Sequence, residues 1–78
     1  MVRAYVFIQT RAGMGPQVAK DVGGIQGVLS SEGVTGPYDV IARAEASTLD
    51  DLGRLVATHI HGIEGITRTI TCIGSRSS

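Results

Sequence analysis

Four stretches of this chain carry the β-branched and aromatic side chains that are typical of strands. Residues 2–10 form the first, and residues 28–34, 38–46 and 66–73 form the other three. Turn-forming residues lie between these runs, which favours strands. Between the second and third runs, Gly36–Pro37 predicts a tight turn, because glycine tolerates positive φ and proline presets one turn position. We therefore expect these two runs to pair as a hairpin.

Two other stretches have helical spacing. Pro16 suits the first turn of one helix, and the glycine-rich segment 23–27 predicts its end. Thr48, with Asp51 three residues later, resembles the capping box that begins a second helix. The apolar stripes are Val18, Val22 and Ile25 in the first helix and Leu49, Leu52, Leu55, Val56 and Ile60 in the second.

The resulting order of elements is βαββαβ, and it contains a weak internal repeat. Ile25–Val28 (Ile-Gln-Gly-Val) matches Ile63–Ile66 (Ile-Glu-Gly-Ile), an offset of 63 − 25 = 38 residues. Each copy stands at a helix-to-strand junction. Two βαβ halves with right-handed crossovers build a four-stranded antiparallel sheet with both helices on one face. The sequence therefore predicts a ferredoxin-like α+β fold.

The strands also predict the character of the two sheet faces. The face under the helices is expected to carry Ala4, Val6, Ile8, Val40, Ala42, Ala44, Ile66, Ile70 and Cys72, with Arg68 as the polar exception. The opposite face is expected to carry Tyr5, Phe7, Ile41, Thr67, Thr69, Thr71 and Ile73 among the polar residues Arg3, Gln9, Arg43 and Glu45. A mixed face of this kind suits a protein interface. We predict that two sheets pack face to face in a dimer, with Tyr5, Phe7 and Ile41 at the interface.

Length and composition restrict the possible classes. The 78 residues predict one domain, residues 1–74, followed by a mobile polar tail, residues 75–78. A core of this size supplies only ~3–5 kcal/mol, and the single cysteine excludes an internal disulfide, so self-association is expected. The lone cysteine and the absence of a signal peptide fit a cytoplasmic protein. Zero net charge argues against direct nucleic-acid binding, and the apolar runs are too short to span a membrane.

The hairpin turn offers chemistry for a small zwitterion. The Gly36 amide, the Tyr38 hydroxyl and the Asp39 carboxylate are expected to lie close together. Amide and hydroxyl groups can bind a carboxylate, and Asp39 can accept from an ammonium group. The alternative is structural, because an aspartate beside a turn often accepts from nearby backbone amides. The residues by themselves favour this structural interpretation.

Other reactive side chains form no catalytic or metal-binding group. His59 and His61 lack a third ligand nearby, and zinc requires three or four. Cys72, predicted on the face under the helices, has no neighbouring base and is expected to be inert. We expect no cofactor, no metal and no enzymatic activity.

The segment from Ile25 to Val40, with its Gly27-Val28 pair and its Thr35-Gly-Pro-Tyr-Asp39 hairpin, resembles the effector-binding domain of the leucine-responsive regulatory protein/AsnC family. This domain is called RAM, for regulation of amino acid metabolism. Asp51–Val56 and Ile63–Thr69 extend the resemblance over essentially the whole chain. The family's transcription factors carry a helix-turn-helix ahead of this domain. Because the first strand begins at Val2, the expected protein is a stand-alone RAM domain.

The resemblance implies further properties. Family members dimerise through their sheets and form rings of dimers, often octamers, with amino-acid effectors bound between dimers. Carried over by position, the ligand contacts are Gly36, Tyr38 and Asp39 from the hairpin and Thr69 and Thr71 from the last strand. The implied partners are further copies of the chain, an amino acid or similar effector, and full-length family regulators.

Two other classes share this element order. A dimeric α/β-barrel enzyme would use His59 or His61 as its base, and a closed cavity lined by one of them would favour it. A purely structural or partner-binding module would show an assembled interface without a pocket.

Overall fold

The computed structural model describes residues 1–74 and confirms the predicted element order. The predicted tail, residues 75–78, lies outside the described residues. The strands are β1 (Val2–Thr10), β2 (Val28–Gly33), β3 (Val40–Ala46) and β4 (Ile66–Ile73). Helix α1 spans Gly15–Gly23, and helix α2 spans Leu49–Arg54 and continues as a π-helical segment, Leu55–Ile60. No helix in this part of the chain is long and apolar enough to cross a membrane.

The four strands form one antiparallel sheet in the order β2-β3-β1-β4. Both helices pack on the same side of it, as predicted for the ferredoxin-like fold. Their buried side chains form one hydrophobic cluster with alternate residues of the two central strands. These strand residues are Ala4, Val6 and Ile8 of β1 and Val40, Ala42 and Ala44 of β3, all fully buried.

We call the side of the sheet away from the helices the open face. Cross-strand partners point to the same face, so the register identifies the residues of this face. They are Arg3, Tyr5, Phe7 and Gln9 of β1, Ser30 and Glu32 of β2, Ile41, Arg43 and Glu45 of β3, and Arg68, Ile70 and Cys72 of β4.

The predicted faces of β4 were wrong over most of its length. Ile66 pairs with Thr10 and packs against the core, but Arg68 pairs with Gln9, which leaves Thr67 as the extra residue of a β-bulge. A slip of one residue moves every later side chain to the other face of a sheet. The misplaced residues are Arg68, Ile70 and Cys72, which lie on the open face, and Thr69, Thr71 and Ile73, which lie on the helix side.

The second helix begins as predicted and then departs from ideal helical geometry. The Thr48 Oγ1 accepts a hydrogen bond from the Asp51 amide at 3.1 Å. Near its end the His61 amide donates to the Val56 carbonyl at 3.0 Å, five residues back, as a π-helix requires. Of the predicted apolar stripe, Leu49 is 60% exposed and lies outside the core, whereas the other members are buried.

The two copies of the internal repeat have the same backbone geometry. Gly27 has φ +98° and Gly65 has φ +99°, a region that side chains with a Cβ rarely enter. The Gly27 carbonyl accepts from the Glu45 amide at 2.9 Å, and the Gly65 carbonyl accepts from the Arg11 amide at 2.8 Å. Each glycine therefore turns the chain from a helix into a strand and fixes that turn to a neighbouring segment.

Candidate functional site

The β2–β3 hairpin directs two of its three predicted ligand residues, Tyr38 and Asp39, to opposite sides of the sheet. The Val34 amide donates to the Asp39 carbonyl at 2.9 Å, which closes the hairpin. Tyr38 packs its ring on Phe7 of the open face, with centroids 5.5 Å apart. Asp39 lies on the helix side, beside Gly15 at the start of α1. A single protomer therefore does not bring the Tyr38 ring and the Asp39 carboxylate together.

The Asp39 carboxylate joins the hairpin to the end of β1. Its Oδ2 accepts from the Thr10 backbone amide at 2.8 Å and from the Thr10 hydroxyl at 3.3 Å. Its other oxygen accepts no hydrogen bond from the residues that the structure describes. Asp39 thus makes the backbone contact of the structural alternative while one carboxylate oxygen stays available to a ligand.

A cleft of about 560 Å³ lies between the hairpin, the end of β1 and the start of α1. Its lining includes one acidic residue, Asp39, and one basic residue, the exposed Arg11. The remaining lining is mostly small: Thr10, Ala12, Gly13, Gly15, Pro16, Ala19, Gly33, Val34 and Thr35. Opposite charges on a cleft of small residues match a zwitterion. Sequence reasoning missed Arg11, although its place directly after β1 puts it at the hairpin end of the sheet.

The two threonines of β4 lie apart from this cleft. Thr69 is on the helix side, where its hydroxyl is 2.7 Å from the His61 Nε2. Thr71 lines an apolar groove of about 370 Å³ beside α2. In the sheet, β1 lies between β4 and the hairpin strands.

Four of the candidate residues from the sequence are exposed: Gly36, His59, His61 and Cys72. Gly36 lies at the exposed tip of the hairpin, with open space where a side chain would project. His59 and His61 are exposed at the end of the second helix, and within residues 1–74 no three His, Cys, Asp or Glu side chains are grouped to hold a metal ion. Cys72 is exposed on the open face, opposite Tyr5, so its predicted burial under the helices was wrong.

The open face combines aromatic and aliphatic side chains with charges. Tyr5, at 36% exposure, stands among the partly buried Phe7, Ile41 and Ile70. The bulge in β4 puts Arg68, Ile70 and Cys72 on this face in place of the predicted Thr69, Thr71 and Ile73.

The chain was compared with known protein families and solved structures. The Lrp/AsnC ligand binding domain family matches residues 3–77. The chain belongs to this family. An uncharacterised HTH-type transcriptional regulator of Pyrococcus abyssi is 30% identical to the domain over 57 residues. That match covers 73% of this chain and 38% of the regulator, so the domain corresponds to well under half of that relative.

Solved structures show the same family architecture. The protein TTHA0845 from Thermus thermophilus superposes with a TM-score of 0.92 at 28% identity, over 100% of this chain and 98% of that one. A Neisseria meningitidis transcriptional regulator, solved as a complex with L-Met, shares the fold with a TM-score of 0.82 at 18% identity. That alignment covers 96% of this chain and 50% of the regulator. The RAM-type fold predicted from the hairpin motif is thereby confirmed.

Proposed function

We propose that this domain binds a small-molecule effector, an amino acid, and that it assembles with further copies of itself. Its role would be to regulate transcription rather than to catalyse a reaction. Membership of the Lrp/AsnC ligand binding domain family carries this proposal. Its setting would be the cytoplasm, where such regulators act. Partner proteins would be copies of the same chain and full-length regulators of the family.

The open face supports assembly as a dimer. Tyr5, Phe7, Ile41 and Ile70 form a contiguous apolar area in the middle of this face. Burial of such side chains against a second sheet stabilises by about 25 cal/mol per Å² of apolar surface removed from water. A domain of this size gains most from such burial, because its own core is small. Dimers would then form the ring that the family resemblance implies.

The hairpin end supports the binding of an amino acid. In the cleft, the free oxygen of Asp39 can accept from the ligand's ammonium group, and Arg11 can donate to its carboxylate. Gly36 and Tyr38 lie on the outer side of the same hairpin, where they would meet a neighbouring protomer's ligand. Thr69 and Thr71 would contribute only from another protomer. The L-Met complex of the Neisseria regulator makes L-methionine a ligand to test first.

Ligand binding is expected to stabilise the domain strongly. An effector at about 100 times its Kd adds about 2.7 kcal/mol to the free energy of unfolding. For a domain of this size that corresponds to a rise in Tm of at least about 10 °C. A thermal-shift screen of the twenty amino acids, paired with light scattering, tests this expectation. A Tm that no amino acid changes would count against the proposal.

Asp39→Asn is expected to weaken the binding of that amino acid by about 10- to 100-fold, because a charge-assisted hydrogen bond is worth about 1.5–3 kcal/mol. The asparagine oxygen can still accept from the Thr10 amide, so the hairpin should stay joined to β1. Calorimetric titration measures the change in affinity. The matched control is Asp50→Asn, an exposed carboxylate in the first turn of α2.

An affinity of Asp39→Asn equal to that of the unmodified chain and of the Asp50→Asn control would refute the role of Asp39 in binding. If the Tm of Asp39→Asn were lower at the same time, the role of Asp39 would be restricted to its structural contact with Thr10.

A further inference from the structure

The charges of the open face are not balanced within one protomer. Arg3 donates to the Glu45 Oε2 from its Nε and Nη2, at 3.3 and 3.2 Å. Arg43, Arg68 and Glu32 have no ion-pair partner among residues 1–74. One carboxylate and two guanidinium groups are therefore left on the face that the proposed dimer would cover.

Two of these three side chains lie on the edge strands of the sheet, and the third lies on a central strand. Glu32 lies on the edge strand β2 opposite Ile41, and Arg68 lies on the other edge strand, β4, opposite Gln9. Arg43 lies on the central strand β3, opposite Tyr5. An arginine covered by a second sheet without a carboxylate partner would strongly destabilise the dimer. A covering surface must therefore supply a carboxylate to an arginine that it buries. A second open face supplies one carboxylate, Glu32, so one of the two arginines can be paired and the other must keep its contact with water.

We propose that Glu32 of one copy pairs with a guanidinium of the second copy, Arg43 or Arg68, when two open faces pack together. This inference rests on the dimer proposed above. The occupant of the open face is a second copy because its unpaired charges are of both signs, as a self-complementary surface requires. The pairing also gives the interface specificity, because opposing like charges disfavour wrong partners.

Charge reversal tests this pairing. Glu32→Arg alone is expected to raise the Kd of the dimer by at least about tenfold, because only guanidinium groups would remain unpaired on the two faces. Arg43→Glu and Arg68→Glu are made in parallel. The matched control is Glu64→Arg, which reverses an exposed carboxylate in the segment before β4. Analytical ultracentrifugation gives the Kd of each protein.

Mixtures of variants show whether the pairing joins two copies. Glu32→Arg mixed with the correct arginine variant should form a heterodimer with a Kd close to that of the unmodified dimer, detected by native mass spectrometry. The mixture that restores binding, with Arg43→Glu or with Arg68→Glu, identifies the partner. A pair within one chain, such as Glu32 with its diagonal neighbour Arg43, would give no restoration on mixing.

The outcomes separate this inference from the dimer itself. An unmodified chain that stays monomeric would overturn both. A dimer whose Kd Glu32→Arg leaves unchanged, or which neither mixture restores, would overturn the pairing and leave the dimer standing. Loss of dimerisation in the Glu64→Arg control would also overturn the pairing, because the effect would then follow net charge.

Discussion

Phe7→Asp is expected to convert the protein from a dimer to a monomer at micromolar concentration. Phe7 lies at the middle of the open face, in contact with the Tyr38 ring and opposite Ile41 and Ile70. Each dimer would bury two carboxylates without partners, at a cost of several kcal/mol. Light scattering coupled to size-exclusion chromatography measures the mass. Tyr5→Glu, on the same face, should act in the same direction.

Leu49→Asp is the control for this prediction. Leu49 is also apolar and exposed, but it lies on the helix side at the start of α2, where an aspartate is favoured by the helix dipole. This variant should remain a dimer. Alkylation of Cys72 gives a second readout. Its thiol lies on the open face, so a second copy would cover it in the dimer, and it should become reactive in the Phe7→Asp monomer. An unmodified chain that is a folded monomer at micromolar concentration would contradict the predicted interface.

Gly65→Ala is expected to lower the free energy of unfolding by about 2–4 kcal/mol. Gly65 has φ +99°, and an added Cβ would stand 2.6 Å from the Met14 Cε and 3.2 Å from the Val18 Cγ2. Backbone strain and crowding of the core therefore act together. Gly27→Ala should behave alike, since Gly27 has nearly the same φ and its Cβ would meet the Leu55 side chain. Urea unfolding measures both losses.

Gly53→Ala is the matched control. Gly53 lies inside α2, and nothing stands within 4 Å of an added Cβ. Alanine has a higher helix propensity than glycine, so this variant should gain about 0.5–1 kcal/mol. Equal stabilities of the Gly65→Ala and Gly53→Ala proteins would contradict the account of the repeat.

The order of elements and the fold could be predicted because local patterns and global topology agree. The strand runs, the Thr48 cap and the 38-residue repeat each describe a part of the same βαββαβ arrangement, and the structure has all of them. The hairpin motif is also local, because its residues form one turn between two neighbouring strands, and it pointed to the correct family.

The predictions that failed depended on contacts distant in sequence. The bulge at Thr67 depends on how β4 pairs with β1, and it moved Ile70 and Cys72 to the open face. The alternating isoleucines and threonines of β4 carry little information on which face is buried, because this edge strand is only partly covered by α2. Leu49, at the first position of the second helix, is likewise outside the core and 60% exposed.

The ligand residues show a similar limit. Adjacent residues of an extended chain point to opposite sides, so Tyr38 and Asp39 separate even though the motif names them together. Arg11 joins Asp39 in the cleft only because the end of β1 lies beside the hairpin. The tertiary fold brings these two residues to one cleft, and their spacing in the sequence does not predict it.

Isothermal titration calorimetry of the unmodified chain with each of the twenty amino acids tests the central claim most directly. The claim predicts that at least one amino acid, with L-methionine the first to try, gives a saturable heat of binding. It predicts also that this heat falls in Asp39→Asn and not in Asp50→Asn. Titrations of all twenty that match the heat of dilution into buffer would contradict it.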